Sequence, residues 1–120
     1  MIKFSANEMN NLTETERKAI DKLRARISDS FRLRQLVLFG SKARGDFGEW
    51  SDIDILVLIE EEKNWDNREK LSDITFEINL EYDTQLTCIL ENADDWSTEA
   101  DSIWLPLKDN IVQEGIALEI

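Results

Sequence analysis

Two carboxylates, Asp52 and Asp54, head the apolar run Ile53-Ile55-Leu56-Val57-Leu58-Ile59, and an earlier apolar run, Leu36-Val37-Leu38-Phe39, stops at Gly40-Ser41. Side chains alternate along a strand, so Asp52 and Asp54 leave one face while Ile53 and Ile55 leave the other. Such a pair can converge on one or two hard divalent cations through oxygen ligands, which suits Mg²⁺ first and Mn²⁺ as an alternative. An Asp-x-Asp pair by itself is more often a surface pair. Here it sits at the mouth of an apolar strand, where neighbouring like charges are costly unless a cation compensates them. Gly40 lets the backbone turn tightly and approach a ligand. Ser41 and the amides of the turn after it are hydrogen-bond donors for phosphate oxygens, and Lys42 and Arg44 add positive charge. An anion site facing a two-carboxylate metal site fits a nucleoside triphosphate bridged by metal, with in-line displacement as the reaction.

The rest of the composition narrows that chemistry. The chain has no histidine and one cysteine, Cys88, so the commonest general base is missing and no internal disulfide can form. With no histidine to activate it, Cys88 on an expected strand reads as a small buried hydrophobe. At 120 residues, 42% hydrophobic and 33% charged, the chain is expected to fold as one domain over residues 1–120. No apolar run approaches bilayer length and the N-terminus lacks the apolar core of a signal peptide, so no membrane association and a cytoplasmic location are expected. A formal net charge of -12 argues against free nucleic acid as a partner. The charge is uneven: residues 1–44 hold 10 Lys and Arg against 5 acids, and residues 45–120 hold 4 against 21. Two solvated faces account for this asymmetry, and a basic helix meeting an acidic partner or RNA is the functional alternative.

The elements that must position these residues can be read in order. Residues 1–11 show no period and are expected to be a loose arm. Thr13 with Glu16 forms a capping-box signature, and Ile20, Leu23 and Ile27 follow at helical spacing to about Ser28–Ser30. The strands at Leu36–Phe39 and Ile53–Ile59 flank the Gly-Ser turn, and Glu60-Glu61-Glu62 reads as a solvated exit loop. Asp66 with Glu69 resembles a second capping pair for a helix over about Asn67–Tyr82. Gln85–Leu90 reads as a third strand, and Asn92–Trp96 as a turn or short helix. Leu105–Glu114 reads as a helix with Pro106 at its start and Gly115 at its stop, and Ile116, Leu118 and Ile120 as a terminal strand. The sum is an α/β (α+β) fold.

Gly40-Ser41, ten intervening residues and Asp52-Ile53-Asp54 resemble the G-S-x10-D-x-D signature of the DNA polymerase beta nucleotidyltransferase superfamily. GSKARG, SDIDILV and the ending PLKDNIVQEG are similar to its minimal nucleotidyltransferase (MNT) branch. The resemblance implies a mixed β-sheet flanked by helices, the nucleotidyltransferase fold. ATP or another nucleoside triphosphate would lie in the cleft. Gly40 and Ser41 would hold phosphates, with Lys42 and Arg44 as further nucleotide contacts, and Asp52 and Asp54 would be catalytic ligands of two Mg²⁺ ions. An acceptor hydroxyl would attack the α-phosphorus and release pyrophosphate. The resemblance also implies an antitoxin that attaches AMP to a tyrosine of a HEPN-domain ribonuclease toxin. The alternative is a noncatalytic antitoxin that neutralises its partner by binding it.

Active relatives of this kind supply a third carboxylate from a later strand. The expected position falls near Asp83, Gln85 and Leu86. Asp83 is the catalytic candidate there and has a rival role as a helix-terminating turn residue; Gln85 cannot act as a base. Trp50, Trp65, Trp96 and Trp104 lie in or beside expected turns, with loop or core packing and a partner interface as the two roles open to them.

Overall fold

The computed structural model describes residues 2–4, 11–45, 48, 52–98 and 105–118. Its centre is the pair of apolar runs flanking the Gly-Ser turn. They form β2 (Leu33–Phe39) and β3 (Ile53–Ile59), antiparallel to each other, with Leu38 opposite Ile55 and Phe39 opposite Asp54. The other strands are β1 (Ile2–Phe4), β4 (Leu86–Asn92) and β5 (Ile116–Leu118). The sheet runs β1-β5-β2-β3-β4; β1 with β5 and β3 with β4 are parallel, while β5 with β2 is antiparallel. It is therefore a mixed five-stranded sheet, in keeping with the expected α/β (α+β) class.

Both faces of the sheet are covered, which explains the unbroken apolar runs of β2 and β3. On one face α1 (Glu14–Ser30) and α3 (Trp65–Tyr82) supply Ala19, Ile20, Leu23, Ile27, Leu71, Ile74 and Ile78. These pack on Leu36, Leu38, Ile53, Ile55, Val57 and Ile59. Each large aliphatic side chain buried there stabilises the fold by roughly 1.5–3 kcal/mol. On the other face Val37, Phe39, Leu56 and Leu58 meet Trp96 of α4 (Ala93–Thr98) and Ile111 of α5 (Leu105–Glu114). A single turn of helix, α2 (Ser41–Arg44), joins the end of β2 to the segment leading into β3.

The capping box of α1 forms as expected, with Thr13 accepting from the Glu16 amide and Glu16 accepting from the Thr13 amide. Three local expectations need correction. Residues 1–11 are not loose throughout, because Ile2–Phe4 pair with Ile116–Leu118 as β1; three residues are too few to show a period. The cap of α3 is Asn64, whose side chain accepts from the Asn67 amide at 2.8 Å; Asp66 lies inside the first turn. Glu61 is more than exit loop: both its carboxylate oxygens accept from the Arg32 amide, tying the end of β3 to the start of β2. Among the tryptophans, Trp65 is 75% exposed on α3 and Trp96 is buried with the Lys108 ammonium over its ring; Trp50 and Trp104 lie outside the described residues. No helix among the described residues is long and apolar enough to cross a membrane.

Candidate active site

The Gly-Ser turn and the acidic pair meet at one end of the sheet because β2 ends where β3 begins. Gly40 follows Phe39, and Phe39 is the register partner of Asp54. Gly40 holds φ +76°, in the region that favours glycine, and a Cβ at that position would overlap the Asp54 carboxylate at Oδ2. The turn backbone and a candidate metal ligand are thus in direct contact, and only glycine permits it. The turn then closes on itself: the Ala43 and Arg44 amides both donate to the Gly40 carbonyl at 3.1 Å, and Gly45 ends it in the left-handed conformation. Ser41 is half-buried at its leading edge.

Asp54 lies on the sheet face of Phe39, Leu56 and Leu58, opposite the face of Ile53 and Ile55, while Asp52 is exposed just before the strand. Burial raises the Asp54 carboxyl above its usual range, the Asp52 charge raises it further, and the Arg44 guanidinium opposes both. A half-buried carboxylate beside a like charge is the arrangement a bound cation relieves, so the oxygen donors of Asp52 and Asp54 fit a hard divalent ion.

The two cations of the turn are placed differently. Lys42 is 5% exposed, and its ammonium lies 3.3 Å from the Glu16 carboxylate of α1. Arg44 is more open and sits against Glu114 at the end of α5, with Nη1 at 3.0 and 3.1 Å from the two carboxylate oxygens.

Asp83 ends α3 rather than entering β4. It takes the left-handed conformation at φ 53°, and its amide donates to the Asn79 carbonyl. On β4 the residue level with Asp54 is Thr87, and the Ile53 amide donates to the Gln85 carbonyl, which sets Gln85 beside Asp52. Among the described residues no third His, Cys, Asp or Glu gathers with Asp52 and Asp54 into a metal-binding set. The expected carboxylate at Asp83 therefore lies two residues before Gln85 and four before Thr87, the positions level with the pair. Further residues contact the turn: Asn11 from the segment before α1, Glu16 from α1 and Glu114 from α5. Their only local signal was Glu16's place in the capping box.

Cys88, on β4, is partly buried. Burial pushes its thiol up to about 11, against a lowering contribution from a Thr75 hydrogen bond, which fits an inert side chain.

A profile of nucleotidyltransferase domains matches residues 20–118. Two proteins of Methanocaldococcus jannaschii, both provisionally assigned as protein adenylyltransferases, are similar in sequence. MJ0141 is 37% identical over 59 residues, 49% of this chain and 60% of its own, and MJ0604 is 29% identical over 105 residues, 86% of this chain and 97% of its own. The match thus spans less than two thirds of the first of these relatives. Among solved structures, a toxin-antitoxin complex with AMP-PNP superposes with a TM-score of 0.60 at 23% identity, over 82% of this chain and 71% of that one. A complex of a tri-AMPylated HEPN toxin with an MNT antitoxin from Shewanella oneidensis gives 0.53 at 24% identity, over 88% and 69%. At these identities the superpositions establish the fold.

Proposed function

The chain belongs to the nucleotidyltransferase domain family, and we propose that it transfers AMP from ATP to a protein hydroxyl, the acceptor being a tyrosine of a HEPN-domain toxin. The observation that carries this reading is the contact between Gly40 and Asp54, which supports reading the Gly-Ser turn as a phosphate site beside a two-carboxylate metal site. Asp52 and Asp54 would hold Mg²⁺, which when bound neutralises triphosphate charge and polarises the phosphorus centre.

The chain's own residues supply the rest. Gly40 and Ser41 admit and hydrogen-bond the phosphates. Arg44 is the cation best placed to follow them, since a partly exposed ion pair such as Arg44 with Glu114 is worth only ~1 kcal/mol or less and yields to a triphosphate. The acceptor hydroxyl loses its proton to solvent and its oxygen bonds to the α-phosphorus as the bond from that phosphorus to the oxygen bridging to the β-phosphate breaks, and pyrophosphate leaves. A tyrosine acceptor suits a site in which Gln85 and Thr87 stand beside the acidic pair. Its phenol ionises near pH ~10, so it needs less help from a base than an aliphatic hydroxyl does. The names of the similar proteins, protein adenylyltransferases and an antitoxin complexed with an AMPylated HEPN toxin, support a protein acceptor of that kind.

The absence of a third carboxylate among the described residues favours a second reading, in which the chain binds nucleotide and neutralises a toxin by contact alone. Incubation of the protein with ATP, Mg²⁺ and the HEPN partner, followed by intact-mass measurement, separates the two. AMP added to the partner, and lost with Asp52→Asn or Asp54→Asn, is the expected result. A stable complex with no mass change would refute transfer and leave the second reading.

A further inference from the structure

We propose that Glu16 and Asn11, at the head of α1, are positioning residues that shape the Gly40–Ser41 turn by gripping Lys42; the consequence for nucleotide binding rests on the function proposed above. Both the side chain and the backbone of Lys42 are held by described residues. Its ammonium lies 3.3 Å from Oε1 and Oε2 of Glu16, and its carbonyl accepts from Asn11 Nδ2 at 2.9 Å. Asn11 also packs on the far end of the turn, 3.6 Å from where a Cβ on Gly45 would stand.

The turn needs such a grip. At four residues α2 is a single helical turn, too short to hold its own shape, and it is bounded by Gly40 at φ +76° and Gly45 at φ +90°, both conformationally permissive. Its geometry must come from tertiary contacts. A buried ammonium demands a partner, and the side chains of Lys42 and Glu16 are 6% and 16% exposed. Glu16 is itself fixed, because Oε1 also accepts from the Thr13 amide at 2.9 Å. The bond from the Thr13 amide to Glu16 therefore serves twice, since besides its part in the capping box it aims a carboxylate at the turn that presents Ser41, and it does not need the Thr13 hydroxyl. Lys42 acts through that carboxylate and not by reaching phosphate.

Glu16→Gln separates the two roles, since Gln preserves the capping box but removes the charge that Lys42 needs. Thr13→Ala does the reverse. In the ligand-free protein, hydrogen exchange at the Ala43, Arg44 and Gly45 amides should rise about tenfold in Glu16→Gln and stay unchanged in Thr13→Ala, with Tm recorded for both. For an unhydrolysable ATP analogue with Mg²⁺, Glu16→Gln and Lys42→Met should each weaken binding about tenfold, and the double variant should bind no worse than the weaker single one. Lys42→Arg should restore part of the loss. Unchanged exchange in Glu16→Gln, or Lys42→Met weakening binding while Glu16→Gln does not, would overturn the proposal in favour of a direct phosphate contact. Raised exchange in a protein whose wild type binds no nucleotide would support the grip and refute the nucleotide reading alone.

Discussion

Asp54 sits half-buried against the turn at Gly40. Its carboxyl is raised by burial and by Asp52, so the folded state holds a proton there more tightly than the unfolded chain does. The stability this contributes is present at low pH and is lost as pH rises through the raised value, so at neutral pH the ionised group works against the fold. Asp54→Asn should therefore raise the Tm of the ligand-free protein at pH 7 and abolish the further rise that Mg²⁺ with nucleotide gives the wild type. A lower Tm, or an undiminished Mg²⁺ response, would count against the metal site. Gly40→Ala makes the complementary case. It places a Cβ against the Asp54 carboxylate at a positive φ, and a loss of about 1–3 kcal/mol in denaturant unfolding is expected together with loss of nucleotide binding. Unchanged stability would mean the turn is looser than the geometry implies. Both positions were legible in the sequence because turn chemistry and i, i+2 alternation are local signals. The occupation of Lys42 was not, since Glu16 lies 26 residues away and its chemistry was already accounted for by the cap.

At the scale of elements, legibility followed the length of the periodic signal. The helical stripe of Ile20, Leu23 and Ile27 and the unbroken runs of β2 and β3 fixed both core strands and the helix that covers them. Asp66 and Glu69 mimic a capping pair, whereas it is the Asn64 side chain that accepts from the Asn67 amide. Strand β1 has no local signal, because its partner is β5, at the far end of the chain. Asp83 has the residue type of a third carboxylate, but the left-handed end of α3 stops it short of β4, and the register sets Gln85 and Thr87 beside the acidic pair. That register gives a direct forecast. Thr87→Asp adds a carboxylate level with Asp54 on an exposed position of β4. It should lower Tm without metal through like-charge repulsion and enlarge the Tm rise on adding Mg²⁺, as read in paired thermal melts. A metal response equal to the wild type would show that β4 does not face the site.

For the molecule as a whole, the uneven charge takes on a location. The basic N-terminal part of the chain ends at the turn, and the acidic remainder includes the pair across from it, so the candidate phosphate-binding and cation-binding groups share one end of the sheet. Lys42 and Arg44 are each held by an acid from a different helix, Glu16 of α1 and Glu114 of α5, so helices from both faces of the sheet converge on a turn of four residues. Such convergence is what a preorganised site requires. A site of this build is proposed to move the α-phosphoryl end of a nucleotide and not its terminal phosphate. That choice is read out by supplying the protein, Mg²⁺ and a HEPN-domain toxin, the proposed partner, with ATP labelled at either the α- or the γ-phosphate. Label should reach the partner from α-labelled ATP alone, with the γ-label leaving in pyrophosphate. Label retained from the γ-position, or none from either, would rule out nucleotidyl transfer to this partner.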